Sequence, residues 1–578
     1  MGAGPYSTVV IESLASPKDL AQAGWADIEP HYERLATHPL DDAEAWLGEW
    51  SRFEELLGEA HTLALVAYTS DTGDADKEAA ELRFSRDIAP RAREQGVRLG
   101  RRLLGTGYAT PPLEQVLRRM RNQDRLFREA NVPLFGELAA LSTAWQRLAG
   151  SLNATWQGRV VPLPELRVHE ASADRIVRER AYRLHMEAFA RRRDEVADVF
   201  DRQVELRQRV AGNAGFANYR DYAHAEKNRF DYTPQDCERF HDAVERAVVP
   251  AVMRILARRR QRMGLDALRP WDSVDGMMGV ADPLGRPPLR PFADIDALTS
   301  RMRSIFARVD PVFGGYFETM RTEGLLDLDS RPGKAPGGYC TTLPFRRRPF
   351  IFMNATGMDS DVRTLLHEGG HAFHSFEAFA SQPLQFLRRA GAEMAEVGSM
   401  SMELLAAPYL GRDAGGFYDP EEERRSRASH LEGVLFVLAH IAVVDAFQHW
   451  IYTSDEGRDR DARDRRWLGL CERFKPGVDW SGLGDLRTAR WLAQPHFFTH
   501  PLYYIEYGIA QLGALQVWRN SLRDHAEAVA AYRHALALGA TRSLPELLDA
   551  AGARLVFDEA TLRELVALVE EQLARFAD

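Results

Sequence analysis

Cysteine is scarce in this chain, with three in 578 residues: Cys237, Cys340 and Cys471. They lie too far apart for a CxxC pair. A sparse, odd set excludes a disulfide framework and fits a reducing compartment. No run of 18 apolar residues occurs, so no membrane-spanning helix is expected. The opening MGAGPYSTVVIESLASPKDL has no basic stretch followed by an apolar core, and does not read as a signal peptide. Gly2 is followed by Tyr6 where a myristoylation motif needs Ser or Thr. Positive charge is also in deficit, 74 Lys+Arg against 84 Asp+Glu, for a formal net charge of −10. A nucleic-acid binder needs a concentrated basic footprint, so none is expected here. The default location is the cytoplasm, with neither nucleic acid nor membrane as a partner.

What is present is a chain with 45% hydrophobic residues, ample for a packed interior. Apolar residues recur at three- and four-residue spacing over 76–104, 113–152, 173–213, 234–264, 420–450 and 559–576, which predicts helices. Strand-like runs are short: Val160–Leu163, Leu166–Val168 and, most clearly, Pro349–Asn354. Turn-forming residues gather at 265–293, around LRPWD, GMMG and DPLGRPPLRP, and at Arg331–Tyr339. The reading is a mainly α protein with a small sheet. The charge runs Arg191–Arg193, Arg258–Arg260 and 458–466 read as solvated helix faces or turns.

Chemistry concentrates in DVRTLLHEGGHAFHSF, residues 361–376. On a helix His367 and His371 share one face about 6 Å apart along the axis. Two imidazoles so placed can converge on a zinc ion. Glu368 lies one residue on, rotated by about 100°, where it can hold a water and take its proton. Gly369 and Gly370 each cost a helix about 1 kcal/mol relative to Ala, which calls for a close neighbour. The third-ligand pattern of the metzincins is excluded, because His374 and Glu377 stand where that subclass needs Gly and His. His374 is about 10 Å along the axis from His367, too far to share its ion, and reads as a supporting or packing residue.

A following helix, AGAEMAEVGSMSMELLAAPYL, carries Glu393, Glu396 and Glu403 among small and apolar residues. Buried acids are costly unless paired or metal-bound. Glu396 and Glu403 are seven apart and share a face, so one can ligate zinc while the other holds a ligand imidazole.

The run His367-Glu368-Gly369-Gly370-His371-Ala372-Phe373-His374, with Glu396 in EVGSMSMELL, resembles the thimet oligopeptidase and oligoendopeptidase F family of zinc peptidases. Upstream GGYCTTLPFRRRPFIFMNATGMDSDVRTL and downstream HFFTHPLYYIEYGIAQLGALQVW are similar to its bacterial oligoendopeptidase branch. Weaker similarity begins near GFANYRDY, so the resemblance covers about residues 200–520. It implies a two-lobed, neurolysin-like helical zincin with a deep substrate channel and a small β-sheet beside the active-site helix. An N-terminal helical lobe over 1–200 would interlock with a catalytic domain over 201–578.

The resemblance further implies one zinc ion per chain held by His367, His371 and Glu396, with Glu368 as general base and Glu403 and His374 in support. His496, Tyr504 and Tyr507 would stabilise the tetrahedral intermediate, since positioned donors act most strongly where charge develops. Mammalian-type members carry a glycine-rich stretch where this chain has Thr499-His500-Pro501-Leu502. The choice among Tyr503, Tyr504 and Tyr507 therefore stays open, with His500 as a substitute donor.

The strand Pro349–Asn354 could bind substrate as an added strand, with Gly337 and Gly338 allowing close approach. Gly338, Tyr339, Phe352, Tyr503 and His500 are the candidate substrate contacts. Arg346–Arg348 read first as solvated charge, and second as a receptor for a peptide's C-terminal carboxylate. Three functions compete: an endopeptidase acting on short unstructured peptides, a metallocarboxypeptidase or dipeptidyl carboxypeptidase, and a non-catalytic peptide-binding metal protein. The endopeptidase leads, and Glu368 argues against the non-catalytic reading, because a closed structural metal site has no use for a general base.

Overall fold

A computed structural model describes residues 16–272, 282 and 284–576. The N-terminal stretch through residue 15 and the GMMG turn at 276–279 lie outside the described residues. The predicted helical class holds: helices follow one another from Trp25–Thr37 to Glu559–Arg575. Several of the long periodic stretches are divided, and proline explains two of the divisions. The 76–104 stretch forms Ala75–Leu82 and Ala89–Gly105, joined by a π-helical turn, Arg83–Ile88, just before Pro90. The 234–264 stretch forms Pro234–Ala243 and Val249–Arg262 around a π-turn, Val244–Val248, just before Pro250. A proline lacks the N–H and crowds the carbonyl one turn back, so the turn widens while the apolar stripe continues.

Five strands are described. β1 (Asn153–Trp156) and β2 (Arg159–Pro162) form an antiparallel hairpin. β3 (Leu326–Asp329), β4 (Tyr339–Leu343) and β5 (Arg348–Ala355) form a sheet in the order β3-β5-β4. β3 runs parallel to β5, and β4 runs antiparallel to it with Tyr339 opposite Phe352 and Cys340 opposite Ile351. The predicted strand Pro349–Asn354 is thus the buried centre of the sheet. Leu166–Val168 is not a strand. It lies inside the helix Leu163–Glu170, where Leu163 and Leu166 are one turn apart and both buried.

The chain folds as two compact units, neither bounded at residue 200. The first gathers 1–125, 290–420 and 513–555; the second gathers 126–289, 421–512 and 556–578. The first has an aromatic-rich core in which Trp46, Trp50 and Phe53 of the helix Ala43–Ser70 meet Leu384, Leu387 and Ala540. In the second, the helix Pro420–Thr453 is long and apolar enough to cross a membrane, but 89% of its apolar window is buried inside the protein, as a core helix requires. The solvated reading of the charge runs fails at two positions. Arg259 is buried against Glu432, and Arg463 is fully buried against Asp201. Both sit on helix faces turned inward, where the guanidinium is tolerated because a carboxylate meets it.

Candidate active site

The helix carrying the HExxH sequence, Asp359–Ser381, starts where Asp361 accepts hydrogen bonds from the backbone N–H groups of Thr356 and Met358 at 2.7 and 2.9 Å. A second helix, Ala392–Ala406, lies across it at a backbone approach that only glycine permits. A Cβ on Gly370 would stand 2.6 Å from both the Gly398 carbonyl oxygen and Ser399 Cα. A Cβ on Gly369 would enter the Phe306 ring at 2.5 Å. The adjacent glycines, anomalous by helix propensity, therefore set the spacing between the two helices. His374 is buried, with its ring against Gly398 and Nε2 without a hydrogen-bond partner among the described residues. It packs the helix contact, and burial lowers its pKa to about 4.

That spacing brings His367, His371 and Glu396 together, one ligand atom of each within 4.8 Å of the others. Glu396 Oε2 is 3.4 Å from His367 Nε2 and 3.6 Å from His371 Nε2. Tetrahedral bonds of about 2.1 Å separate neighbouring ligand atoms by about 3.4 Å, so the donor set fits zinc in both chemistry and spacing. The imidazole planes stand at 87° with centroids 4.9 Å apart, converging from one helix face. Glu403 Oε1 accepts from His367 Nδ1 at 2.8 Å, which leaves Nε2 as the nitrogen able to ligate. Ser399 donates to Glu396 Oε2 at 3.1 Å, a support with no signal in the sequence. Glu393, the third acid of that helix, is not in the cluster.

Electrostatics separate the roles. Burial and the charges of Glu396 and Glu403 push the Glu368 carboxyl up to about 7, while the His367 charge and the Cys340 amide oppose them. The amide belongs to β4, so the sheet edge and Glu368 are neighbours. Burial lowers His371 to about 4. Against burial, hydrogen bonds donated to Glu396 and Glu403 raise His367, and Glu396 is lowered by its contacts with His367, His371 and Ser399. Replacing Glu403 by Ala is expected to weaken metal affinity about 10–100-fold, because His367 loses its orienting carboxylate. Chelator competition measures this; unchanged affinity would remove Glu403 from the site.

The candidate substrate contacts of the sheet make contacts within the chain itself. Tyr339 stacks on Phe352 at 4.9 Å and its hydroxyl meets Thr69 Oγ1 at 2.7 Å. Gly337 has φ +99, and a Cβ on Gly338 would come within 3.3 Å of the Phe352 carbonyl oxygen. The glycines thus serve the chain's own turn and ladder. Arg346 is committed to buried Glu59, through its backbone N–H at 2.8 Å and Nε at 2.6 Å, and Arg348 to Glu323 at 2.8 Å. Neither stands as an open receptor for a carboxylate.

His496, Tyr503, Tyr504 and Tyr507 form an aromatic cluster in the second unit, with ring centroids 4.9–6.3 Å apart. Tyr504 is buried, its hydroxyl accepting from Gln494 Nε2 at 2.6 Å, and burial pushes its pKa up to about 12. Gln494 also reaches His496 Nδ1 at 3.2 Å. Nothing in the pattern of QPHFF points to this glutamine. Tyr507 and His496 are half-exposed, and Tyr503 has Lys227 Nζ over its ring at 5.3 Å. His500 is exposed and bonded to Thr499 Oγ1 at 2.9 Å.

Fold and donor cluster together define a helical metallopeptidase. The model of peptidase family M3 matches residues 168–567, and the chain belongs to that family. The match extends beyond 200–520 at both ends. Among curated relatives, an oligoendopeptidase F homolog of Borreliella burgdorferi is 22% identical over 269 residues, 45% of this chain and 44% of the relative. Oligopeptidase PepF of Bacillus subtilis is 24% identical over 277 residues, 45% of this chain and 38% of the relative. The aligned part thus spans less than half the length of either. Among solved structures, Pz peptidase A bound to an inhibitor superposes with a TM-score of 0.87 at 24% identity, covering 96% of this chain and 98% of that one. A provisionally named oligoendopeptidase F gives 0.86 at 26% identity, covering 95% and 96%.

Proposed function

We propose that this chain hydrolyses internal bonds of short, unstructured peptides in the cytoplasm. The observation that carries the reading is the convergence of His367, His371 and Glu396 beside a buried carboxylate, Glu368, that is not itself a ligand. The histidine side chains keep 26% and 22% exposure, which supports an approachable site over a closed structural one. Zinc held by those three residues would polarise a peptide carbonyl and acidify a water.

The chain's own groups do the rest. Glu368 takes a proton from the attacking water at its carboxylate and returns it to the leaving nitrogen. The outer edge of β4 pairs with an extended backbone, which makes few demands on side chains and excludes folded substrates. His496 and Tyr507 are the proposed donors to the developing oxyanion; within their own cluster Gln494 fixes the Tyr504 hydroxyl. Three cysteines outside any disulfide, Cys237, Cys340 and Cys471, support a reducing location.

The committed state of Arg346 and Arg348 favours endopeptidase over carboxypeptidase action. The test is mass spectrometry of products from C-terminally amidated peptides. Internal cleavage that tolerates the amide is expected. Cleavage abolished by the amide would replace this reading with the exopeptidase one.

A further inference from the structure

The second unit holds another cluster of metal-binding side chains, built from two helices of the HExxH-like spacing. The helix Pro234–Ala243 carries Cys237 and His241, and the helix Pro420–Thr453 carries Asp445 and His449. Each pair is four residues apart and so lies on one helix face. The two faces meet. One donor atom each from Cys237, Asp445 and His449 lies within 4.8 Å of the other two. Asp445 Oδ2 is 2.8 Å from His241 Nε2 and 3.4 Å from His449 Nε2. All four residues are more than nine-tenths buried, and Cys237 and Asp445 are completely so.

We infer that Cys237, Asp445 and His449 bind a transition-metal ion of the zinc type, with His241 holding the Asp445 carboxylate in place. The alternative is a hydrogen-bonded core in which two imidazoles flank a carboxylate and the thiol donates to the Thr233 carbonyl at 3.5 Å. That arrangement leaves Asp445 Oδ1 and His449 Nδ1 buried without any partner among the described residues. Orphaned polar atoms in a buried contact are expensive, because nothing replaces the hydrogen bonds they had in water. It also leaves a carboxylate in the interior without a guanidinium or ammonium hydrogen-bonded to it. Arg229, whose charge acts on Asp445, is hydrogen-bonded to the Leu502 carbonyl and Glu506. A divalent ion ligated by the carboxylate supplies both a partner for Asp445 Oδ1 and the missing positive charge; it does not reach His449 Nδ1 when Nε2, 3.4 Å from Asp445 Oδ2, is the ligating nitrogen.

Thiolate, imidazole and carboxylate together match zinc better than magnesium or calcium, which take oxygen ligands. Binding removes the thiol proton from Cys237 to solvent and replaces S–H by S–metal. Complete burial means the ion enters as the helices pack and stays. The inference is independent of the peptidase reading, because no residue is shared with the His367 cluster and that cluster contains no sulfur.

Cobalt(II) is the probe, introduced by growing the full-length protein in cobalt-supplemented medium. A thiolate-to-cobalt charge-transfer band in the near ultraviolet is expected in the wild type and in His371→Ala, and is expected to vanish in Cys237→Ser. Metal analysis should find about two ions per chain in the wild type and about one in either variant. His371→Ala leaves the second cluster whole, so it decides the matter even if Cys237→Ser fails to fold. A His371→Ala protein with neither metal nor the band would overturn the inference. So would a band that survives Cys237→Ser.

Discussion

Replacing Glu368 by Gln is expected to lower turnover of a quenched fluorescent peptide by about 10²–10⁴-fold while the protein keeps its metal. Gln matches Glu in size and can still accept from the Cys340 amide, so the side chain should stay where it is. What it loses is the ability to carry a proton. The ligand set His367, His371 and Glu396 is untouched, so affinity for the ion should not follow activity down. Parallel measurement of kcat and metal content separates the two. Wild-type kcat in the variant would end the proposed mechanism, whereas loss of metal together with activity would place Glu368 among the ligands.

The second large effect is structural. Gly370→Ala forces a methyl group to 2.6 Å from two backbone atoms of the helix Ala392–Ala406. No rotamer change relieves a clash with backbone, so the helices must separate, at about 1–3 kcal/mol or more. Because His371 is the next residue and Glu396 is on the opposing helix, separation also spreads the ligands. We expect a lower Tm and metal affinity reduced about 10-fold or more, as for other losses of ligand orientation. Gly136→Ala is the control. Gly136 is an exposed glycine in the helix Val132–Ser151, and a methyl group added there would meet nothing within 4 Å. Ala at that position should raise stability by up to about 1 kcal/mol. A Gly370→Ala protein with the control's stability and full metal content would refute the close-packing account.

These two residues also show what a sequence can carry. Helical spacing is local, so the histidine pair, the flanking glycines and the shared face of Glu396 and Glu403 are all legible before any fold is known. Arg346 is not, because its partner Glu59 is 287 residues away. The same holds for Arg463 with Asp201, 262 residues apart, where a charge run that reads as solvated is buried. Leu166 reads as a strand residue because two apolar residues flanking Arg167 are too short a stretch to distinguish strand from helix. Gln494 carries no pattern at all. Its role comes from a hydroxyl that folding delivers to it.

The assembly of the first unit from three separated segments has a consequence in time. Its site helices are buttressed by the helix His525–Ala537: the Tyr532 hydroxyl donates to the Gly398 carbonyl and Arg533 binds Glu377. Tyr532 follows Gly398 by 134 residues. At about 5–20 residues per second, that interval is roughly 7–27 s of synthesis. Through it, both histidines and Glu396 have been synthesised while the helix contact they depend on lacks the Tyr532 hydrogen bond. The site helices therefore wait for the last of the three segments before their packing is complete.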